Sequence, residues 1–184
     1  PPEGFDHGNS PREYKDLNVS GRTIVFTSSN GTRAIADVNL ASYVLLGSFL
    51  NGSAVVDYAL ALARKDHLDL LVVCAGREEK FALDDAYCAG FLVSKMLGSI
   101  EASERFDLGD GGQAALGMYG YYRDAKKLFE MSGSGKAIME VGLGADIEFL
   151  LNTDAYPAVP HLINPGKKSE HPEWGFTTFL TESF

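Results

Sequence analysis

Several features are scarce in this 184-residue sequence, and each scarcity excludes a class of protein. Two cysteines are too few for a disulfide framework, so we expect a reducing, cytoplasmic setting. Lysine and arginine number 16 against 25 aspartates and glutamates, and this net charge of −9 argues against a nucleic-acid partner. No apolar run approaches the roughly 20 residues of a membrane span, so we expect no membrane partner either.

The residues that are present are typical of a globular protein. Hydrophobic residues make up 45% of a chain that is long enough to bury a substantial core. We treat residues 1–184 as one unit, with a sub-boundary near residues 108–112, where glycine and aspartate cluster. The chain opens on Pro1-Pro2-Glu3-Gly4 without an initiator methionine, from which we expect a fragment or a chain whose beginning was removed.

Three strand-then-helix units follow one another in the first half of the chain. The predicted elements are strands at residues 23–27, 43–46 and 68–75 and helices at residues 33–38, 54–64 and 83–97. Leu70-Leu71-Val72-Val73 is a nearly unbroken apolar run, as found in strands that are covered on both faces. The alternation predicts an α/β fold, with a mostly parallel sheet and flanking helices.

The second half of the sequence is predicted to be more helical. Apolar residues recur at helical spacing over residues 113–131, which predicts one long helix. Two short helices are predicted at residues 134–141 and 145–151, and an edge strand at residues 159–163. The tail, residues 171–184, fits no element, and one hypothesis is that it docks on a partner.

Polar turns follow each of the three predicted strands. Ligands of an open parallel sheet bind beyond the carboxyl ends of its strands, which here carry residues 28–33, 47–53 and 76–85. Backbone N–H groups at helix N-termini attract anions, and Arg33 adds a guanidinium that can grip a phosphate or sulfonate. The alternative is that these serines, asparagines and glycines only cap helices.

Asp84 and Asp85 open the third predicted helix, beside this expected anion site. Negative charge at a helix N-terminus is stabilised by the helix dipole, so a purely structural role is one interpretation. Their charge would also repel a phosphate, and a divalent cation resolves that conflict because carboxylate oxygens suit Mg²⁺. We therefore predict Mg²⁺ as a cofactor.

Other motifs carry less weight. Cys74 and Cys88 have no neighbouring histidine in sequence and are best interpreted as small buried hydrophobes. Gly133-Ser134-Gly135-Lys136 lacks the first glycine, the final hydroxyl residue and the preceding strand of a phosphate-binding loop. The four histidines are scattered without metal-ligand spacing.

The ordered set of polar segments resembles one known family. The segments are Gly4-Phe5-Asp6-His7-Gly8-Asn9-Ser10-Pro11, Thr27-Ser28-Ser29-Asn30-Gly31-Thr32-Arg33-Ala34, Gly47-Ser48-Phe49-Leu50-Asn51, Cys74-Ala75-Gly76, Phe81-Ala82-Leu83-Asp84-Asp85-Ala86-Tyr87-Cys88-Ala89-Gly90, and Ser132-Gly133-Ser134-Gly135-Lys136 with Gly142, Asp146 and Asp154. Together they resemble the 2-phosphosulfolactate phosphatase family over about residues 4–162.

The resemblance implies a Mg²⁺-dependent phosphoric monoester hydrolase. Its substrate would be 2-phospho-3-sulfolactate, which is converted to 3-sulfolactate and phosphate on the way to coenzyme M. It also implies two similar, intertwined α/β halves with the site between them, and a homodimer is one expected arrangement. The N-terminal part of the family pattern is absent, Ser134 stands where the family more often has histidine, and Asp84 where it often has glutamate.

The chemistry of the side chains predicts their roles at the site. Asp85 and Arg33 are the predicted catalytic residues, and Asp84 and Asp85 the predicted Mg²⁺ ligands. The predicted substrate-binding residues are Asn9, Ser10, Ser29, Asn30, Gly31, Thr32, Ser48 and Asn51.

Two alternatives to a metal-dependent phosphatase stay open at the level of sequence. A non-catalytic α/β module would bind a phosphorylated or carboxylated metabolite without turning it over. A cysteine-dependent hydrolase would use Cys74 as its nucleophile.

Overall fold

The computed structural model describes residues 3–101, 103–104, 106–163 and 179–180. Within these residues, helices dominate. The elements are α1 (Pro11–Tyr14), α2 (Gly31–Asp37), a 3₁₀ turn (Phe49–Asn51), α3 (Gly52–Asp66), α4 (Leu83–Ser99), α5 (Asp110–Tyr121), α6 (Ala125–Met131), α7 (Gly133–Glu140), α8 (Ala145–Leu150), β1 (His161–Leu162) and β2 (Phe179–Leu180).

Helix α4 lies at the centre of the core, between α3 and α5. Its apolar residues pack with the 3₁₀ turn, and the rings of Phe49 and Phe91 stack with their centroids 4.6 Å apart. Gly90 lets α5 approach closely, since a Cβ atom there would lie 2.1 Å from the Ala115 carbonyl oxygen. Leu128 of α6 closes the core and is completely buried.

The predicted mostly parallel α/β sheet is wrong. Helices take up 50% of the described residues and strands 3%. The β structure of the described residues is one antiparallel pair, in which His161 faces Leu180 and Leu162 faces Phe179, plus isolated bridges at Leu45–His161 and Arg77–Lys80. Two intertwined α/β halves are therefore not seen either.

Two of the predicted strands do not form, and there is a physical reason. β-branched and aromatic composition shows that a segment suits a sheet, but a strand forms only when its backbone pairs with a neighbour. Residues 23–27 and 68–75 form no β ladder in the described part of the chain. Their apolar side chains stay open to solvent, and Leu71 is 84% exposed.

The helix predictions fared better because helical bonds are local. The helices predicted at residues 54–64 and 83–97 are confirmed as α3 and α4. The long helix predicted over residues 113–131 is wrong, because the chain breaks into α5 and α6. Asp124 starts α6 as its N-cap, and its side chain accepts a hydrogen bond from the Lys127 N–H.

Three further points concern the ends and the whole of the chain. The tail at residues 171–184 lies outside the described residues except for residues 179–180. The sub-boundary near residues 108–112 stays a prediction, and α5 begins within it at Asp110. Among the described residues, no helix has the length and apolar character needed to cross a membrane.

Candidate active site

One open cavity is lined by residues of all three predicted loops, and the 47–53 loop contributes Gly47 to it. Its volume is about 1160 Å³, and its lining includes Gly31 and Thr32 from the start of α2 and Asp85 from the first turn of α4. Cys74 also lines the cavity. Residues that are 54 positions apart in sequence, Gly31 and Asp85, therefore face a common space.

The loop before α2 is built around Ser28. The Ser28 hydroxyl accepts a hydrogen bond from the Thr32 N–H (3.1 Å), and the Thr32 hydroxyl donates to the Ser28 carbonyl oxygen (2.8 Å). Within the described part of the chain, the N–H groups of Gly31 and Arg33 have no hydrogen-bond acceptor. The loop therefore keeps two N–H donors and the Arg33 guanidinium available for an anion, while Ser29 is exposed at its surface.

A tight turn at residues 77–80 ties this loop to α4. Arg77 and Lys80 exchange backbone hydrogen bonds, and Glu78 and Glu79 adopt φ values of 52° and 62°, a left-handed region that non-glycine residues rarely occupy. The Glu78 N–H donates to the Asn30 side-chain oxygen at 3.2 Å. Holding a glutamate at positive φ lowers the free energy of unfolding by about 1 kcal/mol or more for each residue.

Arg33 makes an ion pair within this arrangement. Its Nη1 lies 2.6 Å from Glu79 Oε1, and the two side chains are 62% and 71% exposed. The hydrogen bond and the charge of Glu79 raise the pKa of Arg33, which stays positively charged. Because the pair is exposed, an incoming anion can compete with Glu79 for the guanidinium.

Asp84 and Asp85 present two carboxylates at the start of α4. Asp85 Oδ2 accepts a hydrogen bond from the Gly76 N–H at 2.7 Å. Burial raises the pKa of Asp85, and the charge of Asp84 adds to this, while hydrogen bonds from Gly76 and Ala75 oppose it. Asp84 Oδ1 is buried, and no described residue donates a hydrogen bond to it.

These two side chains fit the Mg²⁺ that the family resemblance implies. A buried carboxylate oxygen without a hydrogen-bond donor is costly unless a cation or water satisfies it. The described residues contain no cluster of three or more histidine, cysteine or acidic side chains suited to a metal. Mg²⁺ does not need one, since it is commonly held by one or two carboxylates together with water and phosphate oxygens.

The loop at residues 47–53 uses its polar side chains internally. Asn51 is buried, its Oδ1 accepts from the Ser48 N–H (2.8 Å), and its Nδ2 donates to the carbonyl oxygens of Leu46 and Ala158 (2.9 Å each). The Ser48 hydroxyl caps the 3₁₀ turn by accepting from the Leu50 N–H. Both residues hold the loop in shape rather than present free groups to a ligand.

The N-terminus of α3 is occupied by a carboxylate of the chain itself. Asp154 accepts hydrogen bonds from the Ser53 N–H (2.7 Å), the Ser53 hydroxyl (2.8 Å) and the Lys95 ammonium (2.9 Å). Burial raises the pKa of Asp154, but these hydrogen bonds outweigh it and leave that pKa below its ordinary value. The positive end of α3, at the 47–53 loop, is therefore neutralised by a carboxylate of the chain itself.

Asp154→Asn tests this arrangement through acid stability. A carboxyl with a depressed folded-state pKa stabilises the fold above its unfolded value, near pH 4, and this contribution is lost as the pH falls. We expect the variant to melt a few degrees lower than the parent at pH 7, and the difference to shrink between pH 4 and pH 2. Melting followed by circular dichroism across this range checks it. Asp57→Asn, on the exposed side of α3, is the control, and a difference that persists at pH 2 would contradict the assignment.

Asn9 and Ser10 are not among the residues that line the cavity. Asn9 is exposed, and its Nδ2 donates to the Thr27 carbonyl oxygen (3.1 Å). Ser10 is buried, and its hydroxyl donates to Asp146 Oδ1 (3.0 Å). Ser10 therefore anchors α1 to α8 through a buried carboxylate, while Asn9 holds the segment that leads into Ser28.

The two cysteines are poorly suited to act as nucleophiles. Both thiols are free. Burial raises the pKa of Cys74, and the charges of Asp85 and Asp84 add to this. Burial also raises the pKa of Cys88 to about 12. Since the thiolate is the reactive form, these surroundings work against a cysteine-dependent hydrolase.

Reasoning from the sequence missed the acidic partners of two predicted site residues. Glu79 contacts Arg33 across 46 residues, and Asp146 contacts Ser10 across 136 residues. No local sequence pattern predicts either contact. Asp146 belongs to the family resemblance, and that resemblance was the one available signal.

The comparisons with known proteins agree on one family. The model of the 2-phosphosulpholactate phosphatase family matches residues 1–165. The probable 2-phosphosulfolactate phosphatases of Thermotoga petrophila and Clostridium acetobutylicum are 37% and 35% identical over 164 and 162 residues, which cover 89% and 88% of this chain and 66% of each relative. That of Thermus thermophilus is 37% identical over 164 residues, 88% of this chain and 65% of the relative.

These matches confirm the resemblance seen in the polar segments, although the chain spans only about two thirds of the length of these relatives. The matched region includes Asn30, Arg33, Asp84 and Asp85. The chain belongs to the 2-phosphosulpholactate phosphatase family.

Proposed function

We propose that the chain hydrolyses a small anionic phosphomonoester, with 2-phospho-3-sulfolactate as the substrate and Mg²⁺ as the cofactor. One observation carries the proposal most strongly: the N-terminus of α2 and Asp85 line the same cavity. Asp84, next to Asp85 in sequence, adds a buried oxygen that no described residue satisfies. Family membership and the names of the relatives support the substrate.

Arg33 and the backbone N–H groups at the start of α2 would bind the anion. The unengaged N–H groups of Gly31 and Arg33 and the guanidinium can together accept the oxygens of a phosphate or sulfonate. Asn30 supports them indirectly, because its side chain holds the 77–80 turn in place. A substrate with two anionic groups explains why a site on an acidic chain offers several donors.

Asp84 and Asp85 would hold the metal. When bound, Mg²⁺ neutralises phosphate charge and lowers the pKa of a bound water. The Gly76 N–H holds Asp85 in position, and burial raises the pKa of its carboxyl in the absence of a cation. Perturbed carboxyls of this kind are common at functional sites. The protein's part in phosphoryl transfer is then mainly positioning and charge neutralisation.

Release of inorganic phosphate from a panel of phosphomonoesters tests the proposal and its rivals. The panel includes 2-phospho-3-sulfolactate, and each reaction is run with and without Mg²⁺ and with and without a thiol-alkylating agent. The proposal expects Mg²⁺-dependent release that alkylation does not abolish. Saturable binding without turnover would favour the non-catalytic module, and inactivation by alkylation would favour Cys74.

Glu79→Gln tests whether Glu79 competes with the substrate for Arg33. Removing the charge of an exposed partner frees the guanidinium, and exposed pairs of this kind are weak. We expect KM for the phosphomonoester to fall by up to about fivefold, with kcat unchanged. Steady-state kinetics at low and high salt measure it, because added salt should shrink the difference.

Glu78→Gln is the matched control for this prediction. It removes the same charge from the neighbouring position of the turn and leaves the Arg33–Glu79 pair in place. A KM that stays the same or rises in Glu79→Gln would show that Arg33 does not meet the substrate.

The setting of the protein is part of the same proposal. We place it in the cytoplasm, on the ground that both cysteines are free thiols. A homodimer stays a prediction.

A further inference from the structure

Glu79 occupies a backbone position that glutamate rarely takes. It is the second central residue of the 77–80 turn, in which Arg77 and Lys80 exchange backbone hydrogen bonds. A turn of this kind places both central residues at positive φ and usually takes Asn-Gly there. Here Glu78 and Glu79 hold φ values of 52° and 62°. A strained residue that is kept in spite of its effect on stability indicates a function for its side chain.

Two side-chain contacts hold the 77–80 turn in place. The Arg77 guanidinium donates to the Gly133 carbonyl oxygen at the start of α7. The Asn30 side-chain oxygen, in the loop before α2, accepts a hydrogen bond from a backbone N–H of the turn at 3.2 Å. Because the turn is held by both neighbours, the backbone of Glu79 has little freedom to move away. Its carboxylate therefore stays close to the loop before α2 even after an anion has displaced it.

The pair of Arg33 and Glu79 presents an anion with a donor and an acceptor side by side. The two side chains meet at 2.6 Å, so an anion that binds the guanidinium also faces the carboxylate. A phosphate group can satisfy both, because its second pKa is about 6 and the proton it keeps can be donated to the carboxylate. A sulfate or sulfonate group carries no proton at neutral pH, so the carboxylate only repels it.

The substrate proposed above carries both a phosphoryl group and a sulfonate group. We propose that Glu79 is a specificity-determining residue, which admits the phosphoryl group to Arg33 and keeps the sulfonate group away from it. The inference rests on the proposed function, in which Arg33 binds an anionic group of the substrate, and it adds which of the two groups that is. Glu79 then both competes with the substrate for Arg33 and selects the anion that replaces it.

The binding of three inorganic anions tests the proposal. Phosphate and arsenate can each keep a proton near neutral pH, whereas sulfate, an anion of similar shape, cannot. Isothermal titration calorimetry at pH 7 and one fixed Mg²⁺ concentration measures the dissociation constant of each anion. We expect phosphate and arsenate to bind about fivefold or more tightly than sulfate, because sulfate leaves the carboxylate without a hydrogen-bond donor. Arg33→Ala should weaken the binding of phosphate and arsenate, which locates the measured binding at Arg33.

Glu79→Gln separates the effect of Glu79 from other causes of selectivity. The glutamine amide can accept from a protonated anion and donate to an unprotonated one, so it does not distinguish them. We expect the ratio of the sulfate to the phosphate dissociation constant to fall about fivefold or more, because sulfate gains more than phosphate does. Glu78→Gln is the matched control, since the Glu78 carboxylate lies 3.8 Å from Arg77 instead. It should leave the ratio within about twofold of the parent.

Two outcomes would overturn the proposal and leave the proposed function standing. The first is that the parent binds sulfate as tightly as phosphate. The second is that Glu79→Gln leaves the ratio of the two dissociation constants unchanged. Phosphate binding that Arg33→Ala does not weaken would overturn this proposal together with the anion-binding role of Arg33 in the proposed function. Circular dichroism verifies that all three variants keep the helices of the parent.

Discussion

Replacing Gly90 by alanine is expected to destabilise the protein by about 3 kcal/mol or more, enough to unfold much of it at physiological temperature. The added methyl group would lie 2.1 Å from the Ala115 carbonyl oxygen and 2.7 Å from Tyr119 Cβ. Neither the α5 backbone nor a Cβ atom can turn aside as a flexible side chain would. Helices α4 and α5 must therefore separate along the centre of the core.

Gly117→Ala is the matched control for this prediction. Gly117 lies in the middle of α5, and nothing stands within 4 Å of the position that its Cβ atom would take. The same change there should stabilise the helix by up to about 1 kcal/mol, because alanine is a better helix former. Urea unfolding of both variants measures the difference. Equal free energies of unfolding would show that α4 and α5 do not pack as described.

Asp85→Asn is expected to lower the rate of phosphate release at least about a hundredfold while leaving the melting temperature no lower than that of the parent. Asparagine keeps an oxygen to accept from the Gly76 N–H and removes the charge. Burial raises the pKa of Asp85, so the ionised carboxylate destabilises the folded state at neutral pH. Loss of activity without loss of stability distinguishes a functional residue from a structural one.

The sign of the stability effect depends on pH. A carboxyl with a raised folded-state pKa contributes most to stability when it is protonated, and that contribution is lost as the pH rises through the folded value. The melting advantage of Asp85→Asn should therefore appear at pH 7 and fade at pH 4. Asp110→Asn, a similar first-turn aspartate on α5, is the control and should keep its activity. A stable but fully active Asp85→Asn would contradict the assignment.

The fold could be predicted where its interactions are local. Helices α3 and α4 follow from apolar spacing, since both the pattern and its hydrogen bonds lie within one turn. Residues 68–75 show the limit of such reasoning. Their composition suits a strand, but whether a strand forms depends on a neighbour that the sequence does not identify. The described part of the chain offers them none.

The candidate site divides in the same way. Arg33, Asp84 and Asp85 could be named as candidates because a cation, two acids and a glycine-containing turn suit a bound phosphate, and their roles stay predictions. Two sets of contacts could not be predicted. Asn51 bonds to Leu46 and Ala158, and Asp154 bonds to Ser53 and Lys95. These contacts form only once distant segments are folded together. Side-chain type indicates what a residue can bind, and the fold decides what it does bind.

Calorimetric titration with Mg²⁺, in the absence and presence of inorganic phosphate, tests the central claim most directly. If Mg²⁺ held by Asp84 and Asp85 meets an anion held at the start of α2, phosphate should tighten Mg²⁺ binding and Mg²⁺ should tighten phosphate binding by the same factor. Asp84→Asn should weaken Mg²⁺ binding. Mg²⁺ affinity that is immeasurable, or indifferent to both phosphate and Asp84→Asn, would mean that the chain does not bring a metal and a phosphoester together.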